Sequence, residues 1–568
     1  MVGGHWVISG IYTRAPLLEL SPSRKRGLYV QMTDFRASNI AKINAAGTGF
    51  DVVIVCTSTA QQCTFWQQRL TAARGGLLKA GAVVLAVHED WEGGAGNGLG
   101  TLYAYQKAVA AAQELHGLDL NQELSSGACS AALFHTAGKG TRLAPLPGAE
   151  SNNKPGVKLP ANSPDGKSVS ILESVIKQTG AYASSRKGRI SVFWGDQVFI
   201  PQCEVEHVPA NHADILYKGA PMPTAEQWSA KGLEVYGLVA VAVGGKAAQV
   251  EKVSFDTATK MLAGLGEIES VGVSLGSFSL SHVFLDALVS EFAPELAAKK
   301  GKFDTDPHFW MPLTLSAEHY GELMSGKGVD GAVSEAHHQR MAQFLERFGS
   351  GGSYPGGLGL FGAVDIGEDA YWWDYGQLRW YLQNNLIMTQ GTEEAAAMRL
   401  FYDVPEASPR LSSGSELGTA EVDAHSSLSG SKIASGKVVA SLLSDVTCAG
   451  SVECEGCIIV DVTAPSIKLG KGCIVYGVHS TEPIELADGE VEAGVMGQDM
   501  QQTRVHSALA IDGGKNWDTA VRGNTVSFGE LHSLNREADN TTIEAARDAL
   551  HRECSAQMGL RSVSSRSE

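Results

Sequence analysis

The sequence is short of the features that would place it in a membrane or on nucleic acid. No run of its 568 residues approaches the roughly 18 consecutive apolar residues of a transmembrane helix. Lysine and arginine number 45 against 62 acidic residues, a net charge of −17, which disfavours nucleic-acid and anionic-membrane partners. Nine scattered cysteines, an odd number, predict no disulfide framework. Since the start of the sequence also lacks a secretory signal, we expect a soluble cytoplasmic protein.

Apolar residues, in contrast, make up 43% of the chain, and glycine is abundant with 65 residues. From about residue 50, short apolar runs alternate with longer amphipathic stretches. This alternation is typical of an α/β domain whose largely parallel sheet is covered by helices. The runs predict strands over 51–57, 82–90, 131–135, 189–200, 236–245 and 271–280, and helices over 60–74, 96–115 and 168–179.

The last third of the chain has a different pattern. Residues 401–431 are rich in Ser, Gly, Pro and acidic residues, which is typical of a linker. Apolar residues then recur every six positions, as at Val446, Val452 and Ile458, a period that predicts a short left-handed parallel β-helix. We expect it to pack on the α/β domain or on a second copy of the chain, giving a homo-oligomer. The predicted units are an N-terminal extension (1–45), the α/β domain (46–400), the linker (401–431), the β-helix (432–500) and a C-terminal loop and helix (501–568).

One Gly-rich segment carries the strongest chemical signal. After the apolar run at 131–134 come His-Thr-Ala-Gly-Lys-Gly-Thr-Arg-Leu-Ala-Pro, in which small residues bring backbone N–H groups close together. Such a loop can enclose phosphate oxygens, and the guanidinium of Arg142 adds donors suited to a triphosphate. Lys154 supplies a second cation shortly afterwards. The alternative is a solvated turn. The loop residues proposed to bind nucleotide are Gly138, Lys139, Gly140 and Thr141.

This segment, Ala-Gly-Lys-Gly-Thr-Arg-Leu-Ala-Pro with the later Asn-Asn-Lys-Pro-Gly-Val, resembles the signature of sugar-1-phosphate nucleotidylyltransferases. Gly-Asp-Gln-Val at 195–198 is similar to the family's metal-binding element and implies Asp196 as a Mg²⁺ ligand. Trp-Trp-Asp-Tyr-Gly at 372–376 resembles a block of ADP-glucose pyrophosphorylases and implies Asp374 as the second ligand. Glu251 and Lys252 resemble the family's sugar-phosphate element. A turn residue at Asp196 and a helix N-cap at Asp374 are the alternatives.

The order of the motifs differs from the common arrangement of that family. A Gly-Asn-Gly-Leu-Gly-Thr-Leu turn precedes the Gly-rich loop by about 40 residues, whereas the comparable turn usually follows it. This order resembles that of fucose-1-phosphate guanylyltransferases and implies a circularly permuted, Rossmann-like mixed-sheet nucleotidyltransferase domain. It also implies that the turn borders the base, with its amides reading the base edge. The turn residues concerned are Gly96, Asn97, Gly98, Gly100 and Thr101.

The resemblance implies an enzyme that joins an NTP and a sugar 1-phosphate, giving an NDP-sugar and pyrophosphate with Mg²⁺. Arg142 and Lys154 would be its catalytic cations. GTP with fucose 1-phosphate is favoured by the motif order, and ATP or UTP with glucose 1-phosphate by the loop and the Trp-x-Asp-x-Gly block. A non-catalytic regulatory or assembly subunit of the same fold is the alternative, and an acyl-transferring β-helix is a third reading.

Overall fold

The computed structural model describes residues 34–560 apart from 46, 163–167, 350–352 and 413. Most of the predicted N-terminal extension therefore lies outside the described residues, and its described part contains one helix, α1 (Arg36–Asn44). No helix within the described ranges is long and apolar enough to cross a membrane. The predicted α/β fold class is confirmed, because helices alternate with the strands of a mixed sheet.

Thirteen strands precede the coiled C-terminal part among the described residues. Their bounds are β1 (Val52–Thr57), β2 (Val83–His88), β3 (Ala131–His135), β4 (Lys158–Asn162), β5 (Ser168–Ser170), β6 (Arg189–Trp194), β7 (Gln197–Ile200), β8 (Asn211–Ala220), β9 (Gly237–Ala242), β10 (Ala247–Glu251), β11 (Ile268–Ser281), β12 (Gly359–Asp365) and β13 (Tyr371–Asp374).

Helices cover this sheet on both faces. Their bounds are α2 (Ala60–Ala72), α3 (Gly96–His116), α4 (Leu120–Ser125), α5 (Leu146–Ala149), α6 (Ile171–Thr179), α7 (Ala225–Ala230), α8 (Phe255–Leu262), α9 (His282–Glu291), α10 (Ala293–Ala298), α11 (Met311–Thr314), α12 (Ala317–Gly326), α13 (Gly331–Phe348), α14 (Leu378–Leu386) and α15 (Glu393–Phe401).

The central sheet has nine strands and contains every strand predicted between residues 51 and 280 except the second part of 189–200, which forms β7 and pairs with β13 in a separate sheet. Strands β2, β1, β3 and β6 run parallel to one another in that order, and β11 continues the sheet antiparallel to β6. All six residues of β1 are buried, as expected for a strand with helices on both faces. The parallel order brings the carboxyl ends of four strands to one edge, where ligands bind in folds of this kind.

The C-terminal part stacks short strands in parallel. Each residue pairs with the residue one turn further along the chain: Ser427 pairs with Leu442, Leu442 with Ile458, Ile458 with Ile474, and Ile474 with Val491. The strands are β14 (Arg410–Leu411), β15 (Glu416–Leu417), β16 (Glu421–Val422), β17 (Ser427–Ser429), β18 (Lys432–Val439), β19 (Leu442–Glu455), β20 (Ile458–Ala464), β21 (Ile467–Lys471), β22 (Ile474–Tyr476), β23 (Ile484–Leu486), β24 (Glu490–Met496) and β25 (Gln502–Ala508). We call residues 410–508 the coil.

The linker predicted over 401–431 was wrong for most of its length. Its Ser- and Gly-rich sequence forms β14 to β17, which pair in parallel with the strands that follow. Small residues suit the tight corners between such short strands. A composition typical of linkers is therefore also compatible with the first turn of stacked strands. Leu428 and Val438 are fully buried and extend the apolar interior of the coil into this region.

The coil packs directly on the α/β domain, as expected. Tyr476 lies in the same buried cluster as residues of the sheet domain. Its hydroxyl accepts a hydrogen bond from the backbone N–H of Lys158 at 2.7 Å and donates one to Glu150 Oε1 at 2.6 Å. The last strand of the coil, β25, runs antiparallel to β24 and is followed by α16 (Phe528–Leu534) and α17 (Asn540–Gln557). The predicted C-terminal helix is confirmed, and the region before it holds a strand and a further helix rather than loop alone.

Candidate functional site

A cleft of 590 Å³ opens at the carboxyl ends of the parallel strands. It lies where β2, β3 and β6 end, the edge at which open α/β sheets bind ligands. Backbone from two Gly-rich segments, two lysines and acidic side chains face this one space. The lining residues are Glu89, Gly94, Gly96, Asn97, His135, Thr136, Ala137, Gly138, Gly140, Lys154, Pro155, Trp194, Gly195, Asp196, Gln197 and Lys302.

The Gly-rich loop forms the middle of the cleft, directly after β3. Gly138 and Gly140 line the space, and Gly140 has a φ of 65°, a backbone conformation that favours glycine. A Cβ atom on Gly140 would lie 3.0 Å from the side chain of Lys154, so the absent side chain also lets this lysine approach. Lys139 and Arg142 are exposed on the loop. Lys139, Thr141 and Arg142 are not among the lining residues, so the loop presents its glycine backbone to the cleft and carries the two cations next to it.

Lys154 and Asp196 meet at the other side of the cleft. Lys154 Nζ lies 2.5 Å from Oδ2 of Asp196, and both side chains are about one-fifth exposed, at 21% and 20%. Asp196 lies in the turn between β6 and β7. It is therefore a strand-end turn residue, and its carboxylate is also available as a metal ligand. The pair is accessible from the cleft, so an anionic ligand and a cation could both compete for its members.

Asp374 lies beside Asp196 although the two are 178 positions apart in the sequence. Strand β13 pairs with β7 so that Asp374 is opposite Gln197, and Tyr375 N donates to the carbonyl oxygen of Asp196 at 2.9 Å. A Cβ atom on Gly376 would lie 3.0 Å from Asp196 Oδ2 and 3.0 Å from Asp374 Oδ1. Burial and then the charge of Asp196 raise the pKa of Asp374 to about 6. Two carboxylates thus share one partly buried space, where a cation would relieve their repulsion.

Asp196 and Asp374 suit a magnesium ion that takes its other ligands from phosphate and water, rather than a metal held by protein side chains alone. No group of three or more His, Cys, Asp and Glu among the described residues could hold a metal. Mg²⁺ is usually bound through one or two carboxylates together with substrate phosphates and waters. Asp196 and Asp374 supply two hard oxygen ligands, and the Gly-rich loop nearby suits the phosphates. The donor set therefore matches a metal that is bound together with a phosphate ligand.

Two backbone amides of the turn predicted to read the base already donate hydrogen bonds within the protein. Helix α3 begins at Gly96, and the segment 303–305 covers its first turn: Asn97 N donates to Asp304 Oδ1 at 2.9 Å, and Gly98 N donates to the carbonyl oxygen of Phe303 at 2.8 Å. The prediction that these amides read a base edge was wrong for both residues. The glycines are required by packing instead, since a Cβ atom on either Gly96 or Gly98 would lie under 3.0 Å from the Phe303 carbonyl oxygen.

Gly96 and Asn97 still line the cleft, and the end of β2 contributes a carboxylate beside them. Glu89 Oε1 accepts a hydrogen bond from Ala95 N at 3.0 Å. A Cβ atom on Gly100 would lie 2.7 Å from Glu89 Oε2, so Gly100 also makes room for this side chain. Burial raises the pKa of Glu89, and Lys302, which lines the same end of the cleft, opposes that shift. No motif pointed to Glu89, although its place at the end of the strand predicted over 82–90 could have.

Thr101 is placed by a histidine of the cleft. Its hydroxyl lies 2.8 Å from His135 Nε2 and donates to the carbonyl oxygen of Asn97 at 2.7 Å. Burial lowers the pKa of His135 to about 4, so the ring is neutral near pH 7. Thr101 therefore supports the wall of the cleft through His135 and is itself buried.

The predicted sugar-phosphate pair is not brought to this cleft. Lys252 and Glu251 stand at the end of the edge strand β10 and are not among the lining residues. Glu251 is held by Lys252 at 3.1 Å and by Lys327 at 2.6 Å. With a side chain 62% exposed, Lys252 belongs to a surface ion-pair group. The assignment fails because β9 and β11 lie between β10 and the strands that end at the cleft.

The close packing of Gly376 against both carboxylates can be tested by substitution. We expect Gly376→Ala to displace Asp196 and Asp374, because a methyl group 3.0 Å from each oxygen is tighter than ordinary van der Waals contact. The dissociation constant for Mg²⁺ should rise about 10-fold, a typical penalty for a misplaced ligand. Calorimetric titration of the protein with Mg²⁺ measures this. Gly321→Ala, whose Cβ would meet nothing within 4 Å, is the matched control.

No model of a known protein family matches this chain, and no curated protein proves similar to it.

Proposed function

We propose that the protein is a Mg²⁺-dependent sugar-1-phosphate nucleotidylyltransferase, which joins an NTP and a sugar 1-phosphate. The observation that carries this proposal is that one cleft gathers the Gly-rich loop, Lys154 and Asp196, and that the carboxylate of Asp374 lies beside that of Asp196. These groups come from four separate parts of the chain. A cluster of loop amides, cations and paired acids matches the needs of phosphoryl chemistry, in which positioning and neutralisation of charge supply most of the catalysis.

In the proposed reaction an oxygen of the sugar 1-phosphate attacks the α-phosphorus of the NTP. A new P–O bond forms as the bond from the α-phosphorus to the bridging oxygen breaks, and pyrophosphate leaves with that oxygen. Arg142 and the loop amides bind the β- and γ-phosphates, so their positive charge stabilises the leaving group. Lys154 lies across the cleft at Asp196 and would contact the α-phosphate when the nucleotide displaces this pair.

Asp196 and Asp374 would hold the metal. A bound Mg²⁺ neutralises phosphate charge and orients the phosphates for in-line attack. The chain's own contribution is to fix the two carboxylates: the N–H of Gly376 donates to Asp374 Oδ1 at 2.7 Å, and pairing of β7 with β13 aligns the strands that carry them. No covalent intermediate on the protein is needed, because positioning of the two substrates is sufficient.

Finer features of the fold belong to the same proposal. We infer that the coil is a left-handed parallel β-helix and that the nucleotidyltransferase domain is circularly permuted, with the first two strand–helix units placed before the Gly-rich loop. We also propose that the protein acts in the cytoplasm, on small-molecule substrates rather than nucleic acid or membranes. A homo-oligomer formed through the β-helix remains part of the proposal, and light scattering of the purified chain tests it.

The direct test is a matrix of the four NTPs against several sugar 1-phosphates, with pyrophosphate release as the readout and Mg²⁺ present or chelated. The proposal expects magnesium-dependent release from at least one pair. No release from any pair would overturn it. Nucleotide binding without turnover would favour the alternative, a non-catalytic regulatory or assembly subunit. GDP-fucose is the product to examine first, because the motif order favours it.

The position of Glu89 leads to a prediction about which base of the NTP is bound. Its two carboxylate oxygens accept hydrogen bonds, and guanine alone among the four bases offers two adjacent donors, N1–H and N2–H₂. Lys302 at the same end of the cleft could meet guanine O6. We therefore expect Glu89→Gln to lower kcat/KM for GTP by about 10- to 100-fold, and to change it little for other NTPs.

The same assay with inosine triphosphate supplies the control for this prediction. Inosine triphosphate lacks the N2 amino group, so the wild-type protein should prefer GTP and the Glu89→Gln variant should lose most of that preference. An equal loss for all NTPs would contradict the prediction, since Glu89 would then contact the ribose or only support the turn at Ala95.

A further inference from the structure

The chain that follows the coil lies directly on the Gly-rich loop. We call residues 512–517 the loop-facing segment; it lies between β25 and α16. Gly513 within it is buried, and a Cβ atom there would collide with the carbonyl oxygen of Thr141 and lie 3.2 Å from Ala144 Cβ. A Cβ atom on Gly514 would lie 3.7 Å from Arg142 Cγ. The segment thus touches the loop where the nucleotide-binding residues are.

Trp517 contacts the same loop at a second point. Lys139 Nζ lies 5.9 Å from the centre of the Trp517 ring, within the range of a cation–π interaction. The indole packs edge-on against His532 with ring centres 5.5 Å apart, and Trp517 O accepts a hydrogen bond from Gly529 N at 2.8 Å. These contacts with α16 hold the indole in place beside the lysine.

An apolar core anchors the segment to the coil. Ala144 at the end of the loop is buried together with Val495 of β24, Val505 of β25, and Phe528 and Leu531 of α16. Asn152, further along from the loop, donates from Nδ2 to the carbonyl oxygen of His532 at 2.7 Å. The position of the loop is therefore coupled to the coil through this core and not to the α/β sheet alone.

We propose that Gly513 and Trp517 are positioning residues for the NTP, which hold the loop so that Lys139, Thr141 and Arg142 face the phosphates. The inference rests on the proposed function and adds an element that the motifs did not predict. A glycine-rich loop with exposed cations has many accessible conformations, and ordering it costs binding free energy. Contact with the segment removes part of that cost before the nucleotide binds.

The test uses the full-length protein with Gly513→Ala, Trp517→Ala and Trp517→Phe. Gly513 has no left-handed φ, so alanine there alters the loop contact and not the local backbone. We expect Gly513→Ala and Trp517→Ala to raise KM for the NTP about 10-fold and to lower kcat far less than Arg142→Ala does, with KM for the sugar phosphate unchanged. Trp517→Phe, which keeps a ring beside Lys139, should retain most of the affinity.

Direct binding separates this inference from the proposed function. Calorimetric titration with magnesium pyrophosphate should give a Kd about 10-fold weaker in Gly513→Ala than in the wild-type protein, and no change in the control Gly321→Ala. If the wild-type protein converts its substrates but both variants keep its KM for the NTP and its Kd for pyrophosphate, the positioning role of Gly513 and Trp517 is wrong and the proposed function stands.

If no NTP is turned over but the pyrophosphate Kd still weakens, the proposed function is wrong and positioning stands. A lower unfolding temperature with a reduced kcat and unchanged KM values would mean that the segment only stabilises the fold, and would overturn the inference.

Discussion

Replacement of Arg142 by alanine is expected to lower kcat/KM for pyrophosphate release by about 10³-fold, the lower end of the range for an arginine that stabilises phosphoryl transfer. Arg142 is exposed on the Gly-rich loop and is close enough to Asp374 to influence its pKa. Its guanidinium would therefore lie near the triphosphate, where negative charge develops on the leaving pyrophosphate. Steady-state kinetics with the best substrate pair from the matrix measure the loss.

The controls for Arg142 separate charge from folding. Because the side chain is exposed, Arg142→Ala should leave the unfolding temperature unchanged. Arg142→Lys keeps the charge without the planar fork of donors, so it should recover only part of the rate. Arg552→Ala, at an exposed arginine of α17, should have no effect. A tenfold or smaller loss in Arg142→Ala would mean that this residue does not contact the reacting phosphates.

Asp196→Asn is expected to reduce turnover by about 10²- to 10³-fold at physiological Mg²⁺. The amide is a poor magnesium ligand, and Lys154 would lose its partner 2.5 Å away. Asp374 would then be the remaining carboxylate of the pair, so the affinity for the metal should fall as well. Kinetics over a range of Mg²⁺ concentrations would distinguish weak metal binding, which high Mg²⁺ partly corrects, from a lost charge interaction, which it does not.

Two further variants make this result specific. Asp374→Asn should give a similar loss, because both carboxylates lie 3.0 Å from the same point beside Gly376. Asp286→Asn, at an exposed acid of α9 that does not line the cleft, should be indistinguishable from the wild-type protein. Full activity of Asp196→Asn at low Mg²⁺ would refute the assignment of this pair as the metal site.

The sequence by itself determined the α/β domain and the position of the Gly-rich loop. Both depend on local patterns: apolar runs such as 51–57 are long enough to form buried strands, and glycines at 138 and 140 permit a tight turn after one of them. The same local reasoning failed at 401–431, since small polar residues are compatible both with a linker and with the corners of a coil.

Only the tertiary structure decided which distant residues meet. Asp374 reaches Asp196 because β13 pairs with β7, a long-range register that no local pattern encodes. The amides after Gly96 are occupied by the segment 303–305, and Gly513 closes on Thr141 from the far end of the chain. Motifs identify the residue types that the chemistry requires. Which of those residues share a cleft is decided by the pairing of strands and the packing of remote segments. Both depend on contacts made over the whole chain, so no local pattern predicts them.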